Sequence, residues 1–246
     1  TSFTYKASVM TPTVTITNPN GAKLTKDTHY TVEYSSGRRN VGTYNVTVTL
    51  KGNYTGTKTL SFKINPMDIS DCTVKLSATS YTYNAYVRTP TVTITNPNGA
   101  KLTKDTHYTV SYSSGRKNVG TYNVTVTLTG NYTGTKTLSF KITPMDISDC
   151  TVKLSATSYT YNAYTRTPSV TVKNSNGATL TKGTHYTVTY DAGRRNVGTY
   201  NVKVTLKGNY TGTKTLSFEI APMDISDCTV KLSYISYTYN GSVKTP

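Results

Sequence analysis

The sequence predicts an all-β protein made of tandem β-sandwich repeats, and three observations support this prediction. The 246 residues include 22 Tyr and 52 Thr but no Trp and no Gln, and Thr and aromatic side chains favour pleated strands over helices. The chain also matches itself without gaps at a constant offset. Within each unit, short alternating apolar and polar stretches are separated by turn residues about every 8–12 positions, which is typical of a sandwich.

The repeat has a period of 78 residues, and the first two units differ at 8 positions. Such near-identity favours a uniform mechanical unit over three specialised sites. Each unit carries a net charge of +5, and Lys244 completes the formal net charge of +16, so the basic character belongs to the repeat. Residues that recur at this spacing include Cys72, Cys150 and Cys228, and also His29, His107 and His185.

Six or seven short strands are predicted in each unit. In the second unit the Asn96-Pro-Asn-Gly99 turn follows one strand, because Asn and Gly tolerate positive φ and Pro restricts its own. A β-grasp-like repeat is the alternative architecture, and the lack of any helical periodicity disfavours it. The alternating stretches of the second unit are 69–76, 81–83, 91–95, 108–112, 122–128 and 138–142.

Three prolines are predicted to mark the domain junctions: Pro66, Pro144 and Pro222. Proline stiffens a link, so consecutive domains are expected to be held extended as a rod. The ends of the chain do not coincide with the predicted domain boundaries, and two explanations remain open. The chain is a window from a longer repeat array, or it donates its surplus strand to another copy in head-to-tail self-association. The predicted domains are 1–65, a repeat lacking its first strand; 66–143 and 144–221, two complete repeats; and 222–246, the leading strand or strands of a further repeat.

Several motifs resemble the tandem Ig-like repeats of cell-surface proteins and adhesins of Gram-positive, Firmicutes-type bacteria. The resemblance covers every unit and implies an Ig-like sandwich in a secreted protein at the cell surface or cell wall. It also implies a structural stalk or spacer that projects a terminal functional domain from the cell wall. The motifs that carry it are Tyr83-Asn-Ala, Thr89-Pro-Thr-Val-Thr-Ile, Thr106-His-Tyr-Thr-Val, Asn118-Val-Gly-Thr-Tyr and Gly130-Asn-Tyr-Thr-Gly-Thr.

The cysteines are predicted to be unpaired. Cys72, Cys150 and Cys228 occupy equivalent positions in successive units, too far apart for Cα atoms that must approach within about 7 Å in a disulfide. Alternation places each on the apolar face of its strand, which predicts a buried thiol, with a partly exposed thiol as the alternative. Thioester and ester cross-links that join Cys or Thr to Gln are excluded because the chain has no Gln.

The sequence predicts neither an enzyme nor a cofactor site. No phosphate loop, serine-nucleophile motif or acidic calcium loop is present. His29, His107 and His185 have no second His, acid pair or Cys at ligand spacing, so solvated histidines at strand edges are expected. No catalytic, cofactor-binding or metal-binding residue is therefore predicted, and no signal peptide, membrane segment or wall-sorting motif lies within these residues.

One basic turn in each unit is the candidate contact for an anionic partner. A multivalent array binding anionic cell-wall polymers or host glycans is therefore the alternative function, because weak contacts gain avidity by repetition. No nucleic-acid recognition module is apparent, so no specific nucleic-acid partner is predicted. The simpler interpretation is that these charges keep a Thr-rich surface soluble. The candidate residues are Arg38, Arg39, Arg116, Lys117, Arg194 and Arg195.

Overall fold

The structure is a computed structural model that describes residues 1–245, and it is all-β. Its only helices among these residues are three single 3-10 turns, Ile69–Asp71, Ile147–Asp149 and Ile225–Asp227. No helix in the described part is long and apolar enough to cross a bilayer. The chain forms two compact units, Thr1–Thr143 with the first two repeats and a second unit from Pro144 onward.

Strand positions repeat with the period of the sequence. In chain order the strands are β1 (Ser2–Thr4), β2 (Tyr30–Tyr34), β3 (Gly42–Leu50), β4 (Thr57–Asn65), β5 (Met67–Asp68), β6 (Thr73–Leu76), β7 (Ser80–Thr82), β8 (Val92–Thr95), β9 (Tyr108–Tyr112), β10 (Gly120–Leu128), β11 (Tyr132–Thr133), β12 (Thr135–Thr143), β13 (Met145–Asp146), β14 (Thr151–Leu154), β15 (Ser158–Thr160), β16 (Val170–Lys173), β17 (Tyr186–Tyr190), β18 (Gly198–Leu206), β19 (Tyr210–Thr211) and β20 (Thr213–Ala221).

A four-stranded mixed sheet organises each repeat. The strand orders are β1-β4-β3-β2, β7-β12-β10-β9 and β15-β20-β18-β17. In every sheet the first strand in the chain runs parallel to the last, and the other neighbours are antiparallel. The second and third repeats add antiparallel pairs, β6-β8 and β14-β16, and short parallel pairs, β5-β11 and β13-β19.

The core lies between the four-stranded sheet and the two-stranded pair. In the third repeat Val202, Phe218 and Ile220 of the large sheet are buried, and Leu154 and Val170 from β14 and β16 pack against them. Two sheets that enclose apolar side chains form a sandwich. The prediction of tandem Ig-like β-sandwiches is confirmed. Within residues 1–245 no α-helix covers a sheet, which disfavours the β-grasp-like alternative.

Tyrosines on one strand of the large sheet connect the two layers. On β9, the Tyr108 hydroxyl donates to the carbonyl oxygen of Val92 at 3.1 Å, and the Tyr112 hydroxyl donates to that of Pro90 at 2.8 Å. Each ring therefore contributes apolar area while its hydroxyl satisfies a backbone acceptor.

The two ends of the chain differ from their internal equivalents. Residues 14–17 have the same sequence as β8 but form no strand, only a bridge from Thr17 to Lys23. In the predicted leading-strand segment 222–246, the described residues form the 3-10 turn Ile225–Asp227 and no strand; Pro246 lies outside the described residues. Both outcomes have one cause, because a strand is stable only when a neighbour pairs with its backbone groups.

Candidate functional site

The basic turn between β9 and β10 is held by its own repeat. Gly115 has φ +77°, a conformation that favours glycine and reverses the chain. The Arg116 guanidinium lies 5.1 Å from the centre of the Tyr112 ring, and its Nη1 donates to the Ser113 carbonyl oxygen at 3.0 Å. Arg38 and Arg194 make the equivalent contacts in the other repeats. The first arginine of each turn therefore stabilises the turn.

The second basic residue of the turn contacts a neighbouring loop in two repeats. Arg39 Nε donates to the Ala7 carbonyl oxygen at 2.8 Å, and Arg195 Nε donates to that of Ala163 at 2.6 Å. These alanines have φ of 59° and 62°, so the arginines help to hold a strained backbone. Lys117 occupies this position in the second repeat and is exposed.

The structure thus places the six predicted residues in three separate turns. Five of them contact their own repeat, which the sequence analysis did not anticipate. Their positive charge remains, because stacking on a ring and donation to a carbonyl do not neutralise a guanidinium. Contact with an anionic partner stays a prediction.

Two further arginines were missed. Arg88 lies 4.8 Å from the Tyr81 ring centre and donates through Nη2 to the Thr82 carbonyl oxygen at 3.3 Å. Arg166 does the same with Tyr159, at 4.9 Å, and with Thr160, at 3.0 Å. The sequence contained an indication of this pairing. In the first repeat both partners change together, with Phe3 in place of the tyrosine and Met10 in place of the arginine.

The first junction is a packed contact between repeats. The Asn131 amide oxygen accepts the Val41 backbone N–H at 2.8 Å, and its Nδ2 donates to Asn40 Oδ1 at 3.1 Å. The Tyr5 and Tyr132 rings meet edge to face with centres 5.3 Å apart. One apolar core runs through both repeats of this unit. The first two repeats are therefore joined by side chains as well as by a proline-containing link.

The histidines stabilise a loop. His107 Nδ1 accepts the Thr103 N–H at 2.9 Å, and the ring lies 5.5 Å from the Tyr132 ring centre. His29 and His185 make the same contacts. Because Nδ1 is an acceptor, it carries no proton in this arrangement. Within residues 1–245 no group of three or more His, Cys, Asp and Glu side chains could hold a metal ion.

The cysteines fall into two classes. Cys72 and Cys150 are buried and Cys228 is exposed, and all three are free. Burial raises the pKa of the Cys72 and Cys150 thiols, with smaller contributions from the neighbouring carboxylates. The predicted buried thiol is therefore found at two of the three positions.

A cleft of about 460 Å³ lies in the first repeat beside residues 14–17. Val14, Ile16 and Leu60 contribute apolar surface to it, and Lys58 is its only charged lining residue. A cleft lined in this way has no acid–base pair for catalysis.

The sequence matches one family model, described as "MBG domain", in three stretches: residues 1–68, 72–146 and 150–224. No curated protein matches the chain.

Three of the solved structures that match the chain are described here. Invasin, described as a bacterial integrin-binding protein, is 12% identical with a TM-score of 0.37; the match covers 85% of this chain but only 55% of invasin. The protocadherin PcdhgB3 EC1-4 is 10% identical, with a TM-score of 0.23 and coverage of 91% and 74%. Mouse cadherin-23 EC22-24 is 12% identical, with a TM-score of 0.23 and coverage of 90% and 95%.

Proposed function

The chain belongs to the MBG domain family, and we propose that its repeats form a structural spacer in a bacterial surface protein or adhesin. The spacer projects a terminal functional domain from the cell wall. We place it outside the cell, at the surface or in the wall of a Gram-positive bacterium, and we propose no catalytic role.

The packed first junction is the observation that best supports a spacer. A flexible link would let neighbouring repeats move independently, whereas Asn131 and the Tyr5–Tyr132 contact hold the first two repeats in one core. The near-identity of the repeats also supports this role, since a spacer needs copies of one unit and an active site does not.

A surface-display experiment tests the spacer. The chain is placed between a wall anchor and a distal epitope tag, and residues 79–156, one complete period, are deleted. We expect antibody binding to the tag to fall in the shortened form, and to recover when a period of the same length is restored. Equal tag accessibility in both forms would contradict the proposal.

A multivalent binding array for anionic wall polymers or host glycans is the alternative. Lys117 supports it because it is exposed, but the contacts of Arg38, Arg116 and Arg194 with their own turns favour a structural use of those charges. Salt-dependent binding of the whole chain to teichoic acid or heparin separates the two functions. A spacer shows no saturable binding, and an array shows binding that weakens when the basic turns are neutralised.

Strand donation between copies is a further candidate, favoured by residues 223–232. This segment has the sequence of residues 67–76. Met67 and Ile69 are buried in the second repeat, whereas Met223 is 41% and Ile225 is 75% exposed. The cleft beside residues 14–17 occupies the place where β6 pairs with β8 in the second repeat. A second copy could therefore supply residues 223–232 to this cleft and assemble into head-to-tail filaments.

Thiol labelling tests this candidate. In dilute native protein we expect one rapid reaction, at Cys228, because Cys72 and Cys150 are buried and their raised pKa values lower the thiolate fraction. Unfolding in urea is expected to release the other two thiols, and Cys228→Ser to remove only the rapid phase.

Raising the protein concentration distinguishes strand donation from a chain that stays monomeric. Strand donation predicts that labelling of Cys228 slows as the protein is concentrated, together with a rise in mass measured by light scattering. Constant labelling and constant mass over the same range would contradict strand donation.

A further inference from the structure

We propose that the parallel strand pair of the four-stranded sheet in each repeat is a mechanical clamp through which the chain resists tension, and that Arg88 and Arg166 strengthen it in the second and third repeats. This inference rests on the proposed spacer function, since a spacer between a cell wall and a bound surface transmits force. It adds that the repeats resist a pulling force, which a spacer that only holds a domain away from the wall does not need to do.

The direction of the strands is the first argument. In the second repeat β7 is the first strand of the large sheet and β12 is the last, and they run parallel. Tension pulls β7 from its amino end and β12 from its carboxyl end. The two strands are therefore pulled in opposite directions along their own axes, so the hydrogen bonds between them are loaded together.

Antiparallel neighbours joined by a hairpin would instead separate one bond at a time, because force applied at the open end of a hairpin loads its terminal pair first. The parallel pair is thus the arrangement with the larger barrier for the same number of bonds. Each four-stranded sheet has it: β1 pairs with β4, β7 with β12 and β15 with β20.

The pairing extends beyond the strand bounds. The Lys141 N–H donates to the Thr79 carbonyl oxygen at 2.9 Å, and the Tyr83 N–H donates to that of Thr143 at 2.8 Å. The Thr143 hydroxyl donates to the Tyr81 carbonyl oxygen at 3.2 Å. The elements before β7 pair elsewhere, β5 with β11 and β6 with β8. When they detach, β7 is the remaining barrier between the tension and the rest of the sheet.

Arg88 contacts both a side chain and the backbone of β7. Tyr81 of β7 meets Phe140 of β12 edge to face at 5.8 Å, while the Arg88 guanidinium lies over the same tyrosine ring. Arg88 also donates to the carbonyl oxygen of Thr82, the last residue of β7. Its backbone N–H donates to the Arg116 carbonyl oxygen at 3.0 Å, which anchors it to the basic turn. Sliding of β7 along β12 must therefore break the stacking as well as the strand pairing.

The first repeat contains a natural version without this contact. Phe3 replaces the tyrosine and still meets Phe62 edge to face at 5.8 Å. Met10 replaces the arginine, and its backbone N–H keeps the bond to the Arg38 carbonyl oxygen at 3.0 Å. The two versions thus differ in the guanidinium and the ring that it covers, while the backbone contact is the same.

Force spectroscopy of the whole chain tests the clamp. The chain is tethered at its two ends in a Cys228→Ser background and held at constant force, and the lifetime of each repeat is recorded. The double variant Arg88→Met with Arg166→Met removes the arginine–tyrosine contact from the second and third repeats. We expect it to shorten the lifetimes of these two repeats about tenfold, equivalent to about 1.4 kcal/mol of the unfolding barrier. A cation–π contact and one hydrogen bond from a charged donor are together at least of this size, and only part of their loss is felt at the barrier.

The converse variant protects the test against a folding defect. Phe3→Tyr with Met10→Arg introduces the arginine–tyrosine contact into the first repeat. We expect it to lengthen the lifetime of that repeat about tenfold, the same factor in the opposite direction. Unchanged lifetimes in both the loss and the gain variants would overturn the role of the arginines.

A change of pulling direction tests the parallel pair itself. With one handle on a cysteine introduced at Ser114 and the other at the carboxyl end, force enters the sheet at Gly120 and leaves it at Thr143. It therefore opens the antiparallel β10–β12 pair from the end where Gly120 faces Ile142, instead of shearing β7 against β12. We expect much shorter lifetimes and no response to Arg88→Met. Equal lifetimes in the two directions would overturn the clamp.

The experiments can contradict the clamp without contradicting the spacer, and the reverse. If tag accessibility falls on deletion of one period but lifetimes do not depend on pulling direction, only the clamp is wrong. If the direction dependence is present but deletion leaves accessibility unchanged, only the spacer is wrong.

Discussion

Gly134→Ala is expected to destabilise the second repeat by about 2–4 kcal/mol, through backbone strain and overpacking together. Gly134 has φ +99°, and an added Cβ would lie 2.8 Å from Ile69 Cγ2 and 3.2 Å from Asp68 Oδ2. Gly134 follows β11 directly, so relief of the clash requires β5 and the 3-10 turn after it to move away from β11. Hydrogen exchange should show lost protection at residues 67–76.

Gly56→Ala is the matched control from the first repeat. Gly56 has φ +113°, but its added Cβ would meet nothing within 4 Å. The expected loss is therefore the strain alone, about 1–2 kcal/mol. Urea unfolding followed by tyrosine fluorescence measures both variants, and an equal loss would show that contact with Ile69 is not what requires glycine.

Ile94→Ala is expected to destabilise the second repeat by about 2–5 kcal/mol, since it leaves a cavity in a close-packed core. Ile94 lies on β8 and is fully buried. It pairs across the ladder with Val74 of β6. Loss of its side chain weakens the contact between the two layers of the sandwich.

Ile16→Ala places the same change in the same local sequence. Ile16 is half-buried, lies outside any strand and lines the cleft of the first repeat. The expected loss is about 1–2 kcal/mol, because less apolar area is removed from contact. Equal losses for Ile94→Ala and Ile16→Ala would mean that local sequence, and not the β6 neighbour, determines the packing.

Much of the fold could be predicted because it depends on local chemistry. Alternation identified the strands of the large sheet, and Asn–Gly or Gly-rich turns separated them. The order of the strands was not predictable, since alternation states which face of a strand is buried but not which strand lies beside it. The parallel contact of β7 with β12 joins residues about sixty positions apart and leaves no local pattern.

The basic residues show the same limit. Composition and spacing identified Arg116 and Lys117 as one charged turn. They could not distinguish a side chain that stacks on Tyr112 from one that extends into solvent, because that distinction depends on the neighbouring strand. Arg88 was overlooked for the same reason: its partner ring is seven positions earlier, on another element of the fold.

Composition, period and alternation were sufficient to identify an all-β array of near-identical basic repeats with free cysteines. These properties follow from residue chemistry, period and count. They do not indicate which copies of one sequence become a strand, because that depends on the neighbours in three dimensions. Residues 92–95 are a strand and the identical 14–17 are not, and residues 73–76 pair while 229–232 remain exposed. The physical reason is that a strand satisfies its backbone groups through a neighbour, and the neighbour is supplied by the fold.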